Sequence, residues 1–337
     1  MHMSTDDWTP PYRAVITGSG SFVPDKILTN DDLAKMVDTS DEWITGRTGI
    51  KTRHVTTDNE TTAFLATEAS RRALAEANLE ATDLDLVIVA TITPEMVFPS
   101  TACFVQSALG AKKAWAFDLA AACSGFIYGV GIAQQFLQSG RYRSALIMGA
   151  ETLTKITNWK DRTSCILFGD GAGAVVLQGR NDGGKGVLYS TMSADGDWWK
   201  TLNCRAYGSR HPADKELDDP NKIYMEIKGR EVYQHAVRRI VETVEHCLDQ
   251  CNLCLDDIKM LICHQMNARI IESAAKRLKL PDEKVYLNID EYGNTSAASV
   301  PIAFDECVRN GKVQRGDIVL FVAFGAGLTW GANVIEY

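Results

Sequence analysis

The chain has 337 residues, 45% of them hydrophobic, and a formal net charge of −8. That is enough apolar material for one large core or two smaller ones, and the acidic balance argues against nucleic acid as a main partner, because phosphate recognition needs a basic face. No apolar run reaches the length of a membrane span, and nine cysteines scattered without a disulfide-like framework fit a reducing cytoplasm.

Taken in chain order, the opening MHMSTDDWTPPYR lacks a hydrophobic signal region and reads as a polar tail. ITGSGSF places Gly18 and Gly20 after a strand, a faint hint of a dinucleotide loop, but Pro24 intervenes before any helix can open from it. Helical and strand patterns then alternate: a helix over Ser100–Gly110, a buried strand over Ala114–Leu119, and a turn of small residues, AACSG. Beyond that turn, Phe126, Val130, Ala133 and Leu137 recur at helical spacing until Gly140. Cys123 therefore lies at or just before a helix N-terminus. There, unpaired N–H groups and the positive dipole end favour a thiolate, and Ala121, Ala122, Ser124 and Gly125 leave room for a substrate.

The segment LFGDGAGAVVLQ reads as a last strand, GRNDGGKG as a connector of turn formers, and Trp198–Asn221 as a polar surface loop. A degenerate repeat follows. Ala73–Ala90 lies without a gap on Cys247–His264, so that Leu74 meets Leu248, Asn78 meets Asn252 and Leu79 meets Leu253. The second copy continues with a helix over Ala268–Leu280, a strand over Lys284–Ile289 and a turn in GNTSAAS, and ends in IVLFVAFGAGLTWGANVIEY. On this register Cys123 corresponds to about Asn294, and His264 ends the strand whose counterpart ends at Ala90. Such βαβα alternation implies parallel sheets covered by helices, with ligands beyond the carboxyl ends of the strands. A two-fold pairing of the halves would gather Cys123, His264 and Asn294 around one pocket. Cys247, Cys251 and Cys254 beside His246 fit one helix face and its exit turn better than a zinc site, for no second ligand pair stands at the right spacing.

A thiol with His and Asn suits two machines. One is a papain-like hydrolase, in which His takes the thiol proton and Asn orients the ring. The other is acyl transfer followed by carbon–carbon bond formation, with His and Asn donating hydrogen bonds to a thioester enolate. The strand-end setting of His264 and the paired halves favour the second.

The motifs TSDEWITGRTGI, FPSTAC, DLAAACSGF, FGDGAGA, CHQMNARI, GNTSAASVP and AFGAGLTWG, spread over nearly the whole chain, resemble those of the β-ketoacyl-acyl carrier protein synthase III family. The resemblance implies an α/β thiolase-like fold with two pseudo-two-fold halves, 13–180 and 186–337, layered αβαβα. It further implies that Cys123, His264 and Asn294 form a catalytic triad and that the N–H groups of Cys123 and Ala326 form an oxyanion hole. Trp43, Arg47, Arg162 and Asn267 would hold coenzyme A, and Phe98 would close the primer pocket across a homodimer interface. Arg269, Lys276 and Arg277, near Arg238, Arg239 and Lys279, would receive acyl carrier protein.

The implied reaction condenses a short acyl-CoA, acetyl-CoA or another small primer, with malonyl-acyl carrier protein. It starts fatty acid synthesis with no metal or redox cofactor, in the cytoplasm and without a membrane. A condensing enzyme of polyketide or quinolone synthesis shares the triad, and a catalytically silent scaffold is the alternative of another class. A degradative thiolase would need a cysteine in AFGAGLTWG, and an elongating synthase a histidine at Asn294; neither is present. Two departures stand out: Ala326 where the family often has glycine, and Gln234 where some relatives have a lysine that docks the carrier protein.

Overall fold

Both halves of the chain fold by the same grammar of strand, helix and strand. The computed structural model describes residues 11–213 and 219–337. Residues 1–10 of the polar tail expected over 1–13, and positions 214–218 of the region read as a loop, lie outside the described residues, while Arg13 already belongs to the first strand. The first half runs β1 (Arg13–Phe22), β2 (Ile27–Thr29), α1 (Asn30–Ala34), α2 (Asp41–Thr48), β3 (Thr52–His54), α3 (Thr62–Ala77), β4 (Leu86–Ala90), α4 (Thr101–Leu109), β5 (Trp115–Leu119), α5 (Gly125–Gln138), β6 (Ser144–Thr152) and β7 (Asp170–Arg180). The second runs β8 (Gly186–Ala194), β9 (Leu202–Cys204), β10 (Met225–Ile227), α6 (Gly229–Cys251), β11 (Ile258–Cys263), α7 (Ala268–Leu278), α8 (Ile289–Tyr292), α9 (Ser299–Arg309), β12 (Ile318–Gly325) and β13 (Thr329–Glu336).

Two large sheets result, ordered β1-β7-β6-β4-β5 and β11-β12-β13-β8. In the first, β6, β4 and β5 are mutually parallel, and β7 and β1 continue antiparallel. The second repeats the pattern with β11 and β12 parallel and β13 and β8 antiparallel. The pseudo-two-fold is thus explicit: β4 answers β11, β6 answers β12, β7 answers β13, and β1 answers β8. The aligned residues confirm it in detail. Asn78 and Asn252 both cap their helices in the left-handed region, at φ 49° and 52°. The next residue in each case, Leu79 or Leu253, donates its N–H to the carbonyl of Leu74 or Leu248. Asparagine tolerates that conformation better than most residues, so the same C-cap chemistry recurs at the same register.

Layering follows from where each helix buries its apolar face. Helices α3 and α4 pack outside the first sheet, with Leu65, Leu74 and Val105 against Val87, Val89 and Val176. Helices α6 and α7 cover the outside of the second, with Ile240, Val244 and Ile271 against Leu261, Leu320 and Val334. Between the sheets lie α5 and α9, whose Phe126, Val130 and Phe304 meet Ile88, Ile147, Ile262 and Phe321. The order is αβαβα, as expected. Gly18 and Gly20 are explained here: a Cβ on either would strike the backbone of α3 at Ala73 or Ala69, so they permit close helix–strand packing and cradle no nucleotide.

Three expectations need correction. Trp115–Leu119 is an edge strand, bonded among the described residues only to β4, and Trp115 is 39% exposed. The strand expected over Lys284–Ile289 shrinks to a single bridge between Val285 and Leu261, because a 3-10 turn at Asp282–Lys284 and α8 consume its length. Within the supposed loop of Trp198–Asn221, Leu202–Cys204 pairs with Met225–Ile227 as a small ladder.

Candidate active site

The chain reaches Cys123 through a tight turn. Ala122 sits at φ 46°, a strained value for a residue with a Cβ, and a 3-10 turn at Ala122–Ser124 then runs into α5. The end of β12 presses on this turn from the other side: a Cβ on Gly325 would stand 2.8 Å from Cys123 N and 2.9 Å from its Cβ. The N–H groups of Cys123 and Ala326 are spent on no turn or loop hydrogen bond among the described residues, so both can meet a developing oxyanion.

His264 follows β11, and Asn294 precedes a 3-10 turn at Ser296–Ala298. Together with Cys123 they line one cavity of about 550 Å³. The backbone of Asn294 is pinned to the segment before β7, receiving Gly169 N–H at its carbonyl and donating to Leu167 O. Its side-chain Oδ1 accepts the Ser296 N–H at 2.8 Å, which leaves Nδ2 as the donor end of a side chain that lines the cavity. His264 Nδ1 lies 2.6 Å from Ser299 Oγ, which is also 2.9 Å from the Ser296 carbonyl. Ser299 has one proton and two acceptors in reach. Given to Ser296 O, that proton leaves Nδ1 protonated and Nε2 bare; turned to Nδ1, it leaves Nε2–H facing the cavity.

Electrostatics revise one expectation. Burial pushes the Cys123 thiol up to about 12, reinforced by the Glu151 carboxyl and opposed by Ser296. Burial disfavours the thiolate more than a helix end favours it, so the resting group is a thiol. Burial likewise holds His264 down at about 3, a neutral imidazole at working pH.

Beside this cavity the expected coenzyme residues form one cluster. The Arg47 and Arg162 guanidiniums lie 4.6 and 4.7 Å from the Trp43 ring centroid, and Arg162 pairs with Asp38 at 3.0 Å. Asn267 lines the cavity, caps α7 through Oδ1 and donates from Nδ2 to Arg47 O. Arg269, Lys276 and Arg277 are exposed on α7 and take no ion pair among the described residues. By contrast, Arg238 and Arg239 both turn to Glu242, and Gln234 is exposed on α6. Phe98 is 81% exposed and does not line the cavity of its own chain.

Residues 117–196 match the family model described as 3-oxoacyl-[acyl-carrier-protein (ACP)] synthase III, and residues 248–337 match its C-terminal counterpart. A β-ketoacyl-[acyl-carrier-protein] synthase III of Caldanaerobacter subterraneus is 57% identical over 324 residues, covering 96% of this chain and 98% of the relative. The chain belongs to the β-ketoacyl-acyl carrier protein synthase III family. A solved 3-oxoacyl-[acyl-carrier-protein] synthase III from Aquifex aeolicus superposes with a TM-score of 0.90 at 46% identity, covering 96% of this chain and all of that one. The priming β-ketosynthase of the R1128 polyketide pathway gives 0.90 at 32% identity, with 97% of each chain covered.

Within the family frame, the loop after β12 carries no cysteine, and the last one, Cys307, is buried in the central layer. Cys247 is buried in the core, whereas Cys254 is exposed and bonded to Asp257. Among the described residues no group of His, Cys, Asp or Glu is disposed to hold a metal, and no helix is long and apolar enough to cross a membrane. Four contributors escaped sequence reasoning. Ser296 and Ser299 looked like turn and helix filler. The β9–β10 ladder roofs the cavity with Leu202, Met225 and Ile227. Glu151 left one clue, an acid in a strand otherwise built of apolar and small residues.

Proposed function

We propose that this chain condenses a short acyl-CoA with malonyl-acyl carrier protein through a thioester on Cys123, so starting fatty acid synthesis. One observation carries the reading: Cys123, His264 and Asn294, with Nδ2 left as a donor, share a single cavity beyond the ends of parallel strands. The sulfur attacks the acyl carbonyl while the N–H groups of Cys123 and Ala326 hold the oxyanion, and CoA leaves. Malonyl-acyl carrier protein then enters and loses carbon dioxide. Asn294 Nδ2 and His264 Nε2, protonated when Ser299 donates to Nδ1, stabilise the enolate. The enolate carbon attacks the Cys123 thioester to give the β-ketoacyl product.

The Trp43 face, flanked by two guanidiniums, suits the adenine and phosphates of CoA, one cation–π contact giving way to stacking. The free cations of α7 suit an acidic carrier protein. A homodimer is supported by the open edge of β5, where Trp115 and the nearby Val97 and Phe98 are exposed; through it Phe98 would reach the partner's primer pocket. We read 13–180 and 186–337 as the two duplicated halves and the cytoplasm as the site of action. The likeness to a polyketide priming synthase supports one second reading, the same chemistry on another primer.

The test is to incubate the enzyme and its Cys123→Ala variant with labelled acetyl-CoA and then add malonyl-acyl carrier protein. Label held by the wild type alone and chased into acetoacetyl-acyl carrier protein is expected. Label only from longer or branched acyl-CoAs would move the primer and keep the mechanism. No label from any acyl-CoA would sink the reading.

A further inference from the structure

A carboxyl group lies one layer behind the nucleophile, and the mechanism above does not use it. Glu151, on β6, is fully buried and does not line the cavity, but Ile92, Cys123 and Ser296 around it do. Its Oε2 accepts from Thr93 Oγ1 at 2.7 Å, Thr91 Oγ1 at 3.1 Å, Ile92 N at 3.1 Å and Thr93 N at 3.2 Å. Oε1 has only a share of the Ile92 N–H at 3.3 Å, so it keeps the open lone pair. The turn that carries Ser296 is wedged between this carboxyl and the thiol: its Ala297 backbone lies so close to Gly149 of β6 that a Cβ there would strike it, and its Ala297 side chain faces Gly125, two residues past Cys123. Ser296 is 2% exposed, and its Oγ makes no hydrogen bond of ordinary geometry, though it faces both groups closely enough to favour their ionised forms. A buried hydroxyl with no settled partner, facing both a thiol and a half-open carboxylate, is a proton path awaiting a substrate.

We infer that Ser296 and Glu151 form a relay that takes the proton from Cys123 during acylation and returns it during condensation. This rests on the acyl-transfer reading above. In the first step the thiol proton passes to Ser296 Oγ as the serine's own proton passes to Glu151 Oε1. The sulfur electron pair bonds the acyl carbon, the carbon–sulfur bond to CoA breaks, and CoA leaves as a thiolate that water protonates outside. In the second step the enolate carbon bonds the acyl carbon, the bond to Cys123 breaks, and the expelled thiolate recovers the proton from Glu151 through Ser296. Charge and protons balance over the cycle with no added base.

The alternative acceptor, His264, is a poor base where it sits, because burial holds it at about 3, whereas Glu151 is raised by burial to about 7, in range to take and return a proton. The titratable groups around Glu151 do not quench it. Cys123 is the donor, and His264 is turned to Ser299. Asp170, beside Thr152 on the neighbouring strand, is occupied by Thr56 and Thr154, and Glu95 receives the Ala63 N–H.

The experiment measures single-turnover acylation by acetyl-CoA against pH for the wild type, Glu151→Gln and Ser296→Ala, with malonyl-acyl carrier protein decarboxylation as a second readout. The wild-type rate should level off above an inflection near pH 7. Both variants should lose that inflection and acylate roughly 100-fold more slowly at pH 7, while decarboxylation, which needs His264 and Asn294, persists. Wild-type acylation rates with an unchanged inflection in either decarboxylating variant would overturn the relay. Should Glu151→Gln not fold, Ser296→Ala decides, because alanine keeps the Cβ at this left-handed position. A wild type that no acyl-CoA acylates would instead refute the parent reading.

Discussion

Gly325→Ala tests how closely the two halves must meet at the nucleophile. The new methyl would stand 2.8 Å from Cys123 N and 2.9 Å from Cys123 Cβ, where ordinary contact begins near 3.4 Å, so the backbones must part by about 0.6 Å. The atoms in the way are backbone and Cβ, not the far end of a flexible chain. Strand β12 is held between β11 and β13 and cannot drift freely. The φ of Gly325 is not positive, so alanine suffers from lack of space alone. Overpacking of this kind costs about 1–3 kcal/mol of stability. The greater effect is on geometry, since the amides of Cys123 and Ala326 are pushed apart just where the oxyanion must fit. A 1 Å misplacement costs about 100-fold, so a loss of roughly 10- to 100-fold in acylation is expected. Single-turnover labelling by acyl-CoA measures it, beside malonyl-acyl carrier protein decarboxylation, which should suffer far less. A folded Gly325→Ala enzyme that acylates at the wild-type rate would refute the argument.

Ser299→Ala removes the group that selects the His264 tautomer, and condensation should fall by about 5- to 30-fold, the worth of one or two kcal/mol of hydrogen bonding; acylation, measured separately, should change little. Trp43→Ala should raise KM for acyl-CoA by about 5- to 10-fold with kcat nearly constant, as for loss of uniform binding; steady-state kinetics decide, and a fall in kcat alone would contradict it. Because burial holds His264 at about 3, the unfolded chain binds a proton near pH 6.5 that the folded chain refuses until about pH 3. The His264 contribution to stability is therefore present above pH 6.5 and lost as pH falls through that window. Urea unfolding between pH 4 and 6 should show a slope smaller by about one proton, roughly 1.4 kcal/mol per pH unit, in His264→Gln; equal slopes would refute it. Asn252→Ala should cost about 1 kcal/mol at its left-handed cap, whereas Asn252→Gly should be nearly neutral, as thermal unfolding will show.

Much of the site was legible because its parts sit at strand ends, where apolar runs give way to small residues. The register that paired Asn78 with Asn252 also put Cys123 opposite Asn294, and the αL caps bear out the first of those pairings. What stayed hidden depends on contacts across the fold. Nothing in the sequence near Ser299 says that its hydroxyl meets His264, which lies 35 residues away. The dipole argument for Cys123 was local, and long-range burial outweighed it. Trp115–Leu119 alternates like a buried strand, but no strand among the described residues pairs with its outer edge. The β9–β10 ladder is too short and polar to show periodicity, yet it roofs the cavity.

Duplication of a half with an open sheet margin should leave a chain with two margins able to recruit copies, and repeated recruitment at both would grow a filament. Here the second margin is lost. Where the first half has β5, the second has only the Val285 bridge, hemmed by a 3-10 turn and α8. Of these two corresponding margins, only that of β5 stands clear among the described residues to take a partner's strand. Erosion of a single strand thus leaves the duplicated halves unequal at this margin, one side open along β5 and the other narrowed to one bridge beside β11, the strand that leads to His264.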